Sequence, residues 1–266
     1  MRSPGSTFDL RASLSEEVRG AIGELEGGGD AKAVHACRVR LKRARSLARV
    51  GHTFAPGLSA VFNDSARGIM GSLADARNLS ALARSSRRLA KRSKKRAAAG
   101  LKTAGDALEA AREAAAPIDL AAVNAGLRDL LALAQVWPEA SARQVKRGAR
   151  RVVRRARKAW RQGSEREASA DKRHAWRQRE KDRLYAAALM EDVWPARRRH
   201  AANQRLVDLL GREHDLMLLT QRLEASPSLA GDEASATAAL KALKVRRKQL
   251  TKRARRVAAR LHGERG

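Results

Sequence analysis

Residues 35–42, His35-Ala36-Cys37-Arg38-Val39-Arg40-Leu41-Lys42, recur as His174-Ala175-Trp176-Arg177-Gln178-Arg179-Glu180-Lys181 at an offset of 139, and both read H-A-x-R-x-R-x-K. A second pair follows in the same order, Leu73-Ala74-Asp75-Ala76-Arg77-Asn78-Leu79 and Leu210-Gly211-Arg212-Glu213-His214-Asp215-Leu216, at an offset of 137. Two blocks repeated in order at nearly one separation mark an internal duplication. Around the first block, Val34, Cys37, Leu41, Ala44 and Ala48 fall at helical spacing and form a stripe to bury. One residue on, His35, Arg38, Lys42, Arg45 and Arg49 form a cationic ladder close to the edge of that core, with Arg43 beside it. The second copy has His174, Arg177 and Lys181, with Trp176 and Leu184 for burial; Leu184 stands where Arg45 stands, so this row is shorter.

Outward from these helices, the whole chain is basic. Its 266 residues carry 57 Lys and Arg against 28 Asp and Glu, a net charge of +29, with a pI near 11.6. A potential this positive recruits polyanions. Charge is shared, +11 in residues 1–117 and +18 in the remainder, so neither half is a neutral scaffold for a basic tail. Disorder is the other reading of such charge, but 43% of residues are hydrophobic and they fall in helical stripes, which predicts a folded protein. Mean hydropathy is −0.52, and no window approaches the roughly 20 apolar residues of a membrane span. The single cysteine, Cys37, allows no internal disulfide and suits a reducing compartment; the N-terminal run shows no apolar signal segment, so a cytoplasmic location is expected.

Ala, Leu and Arg favour helix, and 3% aromatic content leaves little material for strands. The expected helices cover about 8–26, 30–50, 57–92, 93–116, 119–135, 139–163, 166–193, 196–224 and 233–262. Ser13-Leu14-Ser15-Glu16 reads as a capping box and Asp30 as a cap; Val136-Trp137-Pro138 and Val193-Trp194-Pro195 read as helix ends with a buried aromatic. The duplication divides the chain into an N-terminal bundle, 8–116, a connecting helix, 117–138, and a C-terminal bundle, 139–262.

The helix over 143–161 adds a further row. Val145, Ala149, Val152, Ala156 and Trp160 make its apolar stripe, and Arg147, Arg150, Arg154, Arg157 and Arg161 read as a row next to it. A guanidinium fork binds two phosphate oxygens at once and stays charged, so such a row suits phosphate. Like charges at this spacing repel by a few tenths of a kcal/mol per pair, and acidic partners or a bound polyanion must offset that. A solvated face is the ordinary meaning of a charge run. A random solvated face, however, has no reason to repeat His at the same offset from Arg and Lys.

The string H-x-x-R-V-x-x-K-R-x-R from His35 to Arg45, the later block ending in Asp215-Leu216, and the repeat of both resemble the CHAD family, the conserved histidine α-helical domains, over about 8–262. The resemblance implies an all-α protein of two four-helix bundles about a pseudo-two-fold, with a central basic groove or pore. It also implies binding of inorganic polyphosphate and association with polyphosphate granules. Asn78 stands where the family has Asp, a position that Asp215 keeps, and Asp182-Arg183-Leu184 replaces a basic-apolar-basic order. The E-x-E-x-K run of a CYTH triphosphatase is missing; Glu24-Leu25-Glu26 leads into glycines.

The candidate binding residues are thus His35, Arg38, Lys42, Arg43, Arg45, Arg49, Arg147, Arg150, Arg154, Arg157, His174, Arg177 and Lys181. Neither metal nor cofactor is expected, and no catalysis. His214-Asp215 lacks the further ligands of a phosphohydrolase pair, Cys37 has no catalytic neighbour in sequence, and no Gly-rich phosphate loop occurs. Histidines donating to phosphate predict tighter binding in mild acid. Non-specific binding of DNA or RNA is the rival reading; three Phe, one Tyr and four Trp give little for base stacking. A scaffold that recruits partners through apolar faces is a third.

Overall fold

A computed structural model of the chain describes residues 8–196 and 199–263; the side chains of residues 75–77 and 192 fall outside the description. Among the described residues the regular structure is helical throughout, with no strand. In chain order the helices are α1 (Leu10–Gly23), α2 (Ala31–Gly51), α3 (Pro56–Ser72), α4 (Asp75–Ala90) and α5 (Lys95–Glu113), then α6 (Leu120–Gln135), α7 (Ala142–Gly163), α8 (Ala170–Met190), α9 (His200–Ala225) and α10 (Glu233–His262). Short 3-10 turns occupy Glu191–Val193 and Pro227–Ala230.

Local chemistry explains most of the boundaries. Asp30 caps α2, its carboxylate accepting from the Ala33 amide at 2.7 Å, and Pro56 opens α3 where its missing N–H costs nothing. The expected capping box at Ser13–Glu16 is corrected: Asp9 caps α1 from Ala12 at 2.9 Å, and Ser13–Glu16 lie inside the helix. A reciprocal box does form at Ser141 and Gln144, opening α7. The single helix expected over 57–92 is broken at Leu73–Ala74, between α3 and α4. No proline marks that break, and it coincides with the boundary between two compact units.

Contacts gather the chain into units that each take segments from both sides of 117–138. The first joins the segment ending at Leu73 to Ile118–Asn203, and holds α1, α2, α3, α6, α7 and α8. The second joins Ala74–Pro117 to the segment from Gln204 onward, and holds α4, α5, α10 and nearly all of α9.

In the first unit α2 is the central element, packing on α1, α3, α7 and α8. Its stripe of Val34, Cys37, Leu41, Ala44 and Ala48 is buried as the spacing predicts. Each fully buried Leu, such as Leu14, Leu41, Leu47 or Leu127, stabilises the unit by about 1.5–3 kcal/mol. Trp137 is wholly buried at the end of α6, edge-on to Phe62 with ring centroids 5.8 Å apart, and Trp194 is buried after α8. Two glycines set how closely α2 is approached. A side chain at Gly51 would meet the Trp137 ring at 2.6 Å, and one at Gly148 of α7 would collide with the Val50 carbonyl oxygen. The C-terminal turn of α2 is therefore held between α7 and Trp137.

Candidate anion-binding site

The ladder on α2 does lie at the core boundary, but its members have different surroundings. His35 is exposed and Arg38 is buried, donating from Nη1 to the Met70 carbonyl at the end of α3. Arg45 reaches Asn63 Oδ1 at 3.4 Å and the Met70 sulfur at 3.7 Å. Burial, with Arg49 and Arg67 nearby, lowers its pKa to about 10. Lys42 is half-buried. Arg43 lies about 120° round the helix from Arg49 and turns to α1, where it pairs with buried Glu17 at 2.8 Å. Arg40 also reaches Glu17, at 3.5 Å. Burial raises the Glu17 pKa against the pull of these two arginines.

At the end of α2 the ladder meets α8. Arg49 donates to Asp182 Oδ1 at 2.9 Å, and Arg179, three residues before Asp182, donates to Oδ2 at 2.9 Å. The carboxylate in the departure Asp182-Arg183-Leu184 is thus the acid that holds two helices' arginines together. It is almost fully buried, its side chain 9% exposed. Arg49 also lies in the last turn of α2, where the carbonyl end of the helix favours a cation.

Onto this pair α7 brings Arg151 and Arg155. Arg151 is half-buried and Arg155 exposed; both have lowered pKa values, first from partial desolvation and then from Arg179, and Arg151 feels Arg154 as well. Arg155 feels Arg151 and Arg49 as well, with Asp182 the opposing charge. Nη1 of Arg151 is buried and has no hydrogen-bond partner among the described residues. His52, just past α2, has its pKa lowered by burial and then by Arg151 and Arg155. One carboxylate, Asp182, therefore pairs with Arg49 and Arg179 and faces Arg155, with Arg151 and His52 alongside that group. Like charges at this density repel, and Arg151 Nη1 lacks an acceptor among the described residues, which makes the cluster a candidate site for an oxyanion.

The expected α7 row needs correction. Arg147, Arg150, Arg154, Arg157 and Arg161 are all exposed, while Val145, Ala149, Val152 and Ala156 are buried. Arg154 lies about 200° from Val152, so the row is opposite the apolar stripe and not next to it. Arg151 and Arg155, about 100° and 60° from Val152, are the flanking cations. Sequence reading missed them, together with Arg179 and His52. The available signal was Gly148: a glycine amid arginines marks a close backbone approach, and Arg151 and Arg155, three and seven residues on, share its face of the helix.

The second ladder is partly set apart. Arg177 and Lys181 are each two residues from Arg179, hence about 200° round α8 from it. With His174 they are half-buried along the other flank. His174 has its pKa lowered by burial and by Arg177 and Lys181, which outweigh Asp171. Trp176 is buried as expected and donates to Glu180 at 3.2 Å. Cys37 is buried, its thiol pushed up to about 11 by desolvation, and so stays protonated at neutral pH. Among the described residues no three His, Cys, Asp or Glu side chains are grouped to hold a metal, and no helix is long and apolar enough to cross a membrane. The alignment of His214 with Arg77 involves a side chain outside the described residues.

A family model, the CHAD domain, matches residues 12–224. The crystal structure of the CHAD domain from the plant Ricinus communis superposes with a TM-score of 0.63 over 100% of this chain and 97% of that one, at 20% identity, a likeness of fold. No curated protein matches the chain.

Proposed function

The chain belongs to the CHAD family, which is associated with polyphosphate binding, and we propose that it binds inorganic polyphosphate without catalysis, through the arginines gathered where α2, α7 and α8 meet. The observation that carries this reading is Arg151, a half-buried guanidinium with an unmatched nitrogen, beside Arg179 and Arg155, the latter facing Arg49 and the Asp182 carboxylate. Polyphosphate carries about one negative charge per repeat, and each phosphate offers oxygens to two N–H groups of one fork. Lys42 and Arg45 extend the contact along α2, and His174, Arg177 and Lys181 make a second row on the other flank of α8. Residence on polyphosphate granules in the cytoplasm follows from the same reading.

Competition tests it. Labelled long-chain polyphosphate bound to the purified protein at physiological salt is challenged with duplex DNA, RNA and heparin at equal phosphate or sulfate concentration. Polyphosphate is expected to resist displacement; displacement by DNA or RNA transfers the assignment to non-specific nucleic-acid binding. The exposed α7 row favours that second reading, because unconstrained surface arginines serve any polyanion.

A further inference from the structure

The second unit carries a groove that phosphate chemistry does not explain. It runs along α10 beside the turn joining α4 to α5, with a volume of about 510 Å³. Its floor is apolar: Leu89 and Ala97 are buried, Ala238 and Ala242 half-buried, and Val245 is 51% exposed. Ala238, Ala242 and Val245 follow one another at i, i+4 and i+7, so they form one continuous face of α10. The rim is cationic on both sides, with Arg92 and Lys94 from the turn, Arg96 from the first turn of α5, and Lys241 and Arg246 from α10, and no acid is among its lining residues. The acid that acts on this rim is Asp232, which feels Arg96 while its carboxylate accepts from Ser235 as the cap of α10. Burial, and then the nearby Arg92, Arg253 and Arg212, lower the pKa of Arg246. A contiguous second hollow carries Arg88, Arg92, Arg212 and Arg246 over Leu89, Leu216 and Leu250.

We propose that this groove docks an acidic amphipathic helix of a partner protein. A phosphate chain has no apolar surface, and bound here it leaves Val245 and the alanine face uncovered. A helix with one apolar stripe covers them, and its carboxylates meet the rim. Ala238 to Gln249 spans about 17 Å, or three turns, which matches a short docked helix. The two alanines leave room for its side chains. α10 lies beyond residues 12–224, the part of the chain matched to the family, whereas the other wall of the groove, Leu89 to Ala97, lies within it. The inference is independent of the polyphosphate reading.

The test uses the full chain and a fluorescent synthetic peptide of about 18 residues, long enough for five helical turns, with Leu and Glu in amphipathic register. A shuffled peptide of identical composition is the control, and both are measured with and without saturating polyphosphate. The ordered peptide is expected to bind at least about tenfold tighter than the shuffled one. Val245→Asp, at an exposed site, is expected to remove that advantage while polyphosphate affinity and unfolding temperature stay unchanged. Lys241→Glu serves as a second variant with the same expected loss. Equal binding of the two peptides, an unaffected Val245→Asp variant, or full displacement of the peptide by polyphosphate each overturns the docking site. Loss of polyphosphate binding in the same protein bears on the other reading alone.

Discussion

Two faces of α7 carry the same side chain in different physical states. Arg151 flanks the buried stripe, half-buried with one nitrogen unmatched; Arg155 beside it is exposed but lies against Arg179 and Arg49, whereas Arg147, Arg150, Arg154 and Arg157 stand in water, Arg154 still close enough to act on Arg151. Water screens the outer charges and leaves their side chains free, so an incoming anion must both strip and order them. On the inner face, packing has already fixed the geometry and removed part of the hydration. A site is therefore distinguished from a basic surface by the confinement of its arginines more than by their number.

The comparison breaks most directly if the inner face is removed. Replacing Arg151, Arg155 and Arg179 with Gln is expected to weaken polyphosphate binding at least about 100-fold, since a charged hydrogen bond contributes about 1.5–3 kcal/mol. The unfolding temperature is expected to fall modestly while the fold is kept, because Asp182 loses Arg179 but keeps Arg49, and the loss is offset in part by removing like charges that repel in the free protein. A loss of fold with the loss of binding would make the cluster structural. Arg38 is unsuited to such a series: its side chain is buried on the Met70 carbonyl, so substitution there disturbs packing first.

Gly148→Ala tests what brings the inner face together. The added methyl collides with the Val50 carbonyl oxygen, and relieving that overlap is expected to cost about 1–3 kcal/mol in denaturant unfolding. Affinity should fall with it as α7 lifts from α2. Unchanged stability would show that the helices adjust freely.

Gln at Arg147, Arg150, Arg154 and Arg157 together should weaken binding less than about tenfold at physiological salt, mainly through a slower association rate and a shallower salt dependence. A loss as large as that of the inner triple variant would erase the distinction between the faces.

The smallest effect expected is in pH. His52 and His174 have pKa values below the usual 6.5, so the fold disfavours their protonation. The unfolded chain then binds more protons below about pH 6.5, and stability of the free protein falls as pH drops through that region. A bound polyanion opposes the depression, so binding takes up protons and affinity rises by a few-fold between about pH 8.5 and about pH 6. Binding isotherms at the two pH values check this; equal affinities would exclude the histidines from the contact.

Much of the fold was legible because helix signals are local. The stripe of α2 is buried as its spacing requires, Asp30 caps where expected, and both Trp-Pro segments end helices with a buried ring. The break at Leu73–Ala74 was not legible, because no residue there forbids helix; it coincides with the boundary between the two units, which local sequence does not mark. The site was half legible. The cationic ladders could be read from the duplicated blocks, but Arg43 turns to Glu17 and the α7 row faces outward, since which flank of a helix meets a neighbour depends on that neighbour.

Sequence by itself determined the helical class, the duplicated blocks, the buried stripe of α2 and the excess of positive charge, because periodicity, capping and composition are properties of short stretches. Tertiary structure alone decided that Asp182 bridges Arg49 to Arg179, that Gly148 lets α7 bring Arg151 and Arg155 to them, and that the other arginines of that helix stay in water. The reason is geometric: a helix presents cations all round its axis, and only the packing of a second helix selects which of them are confined.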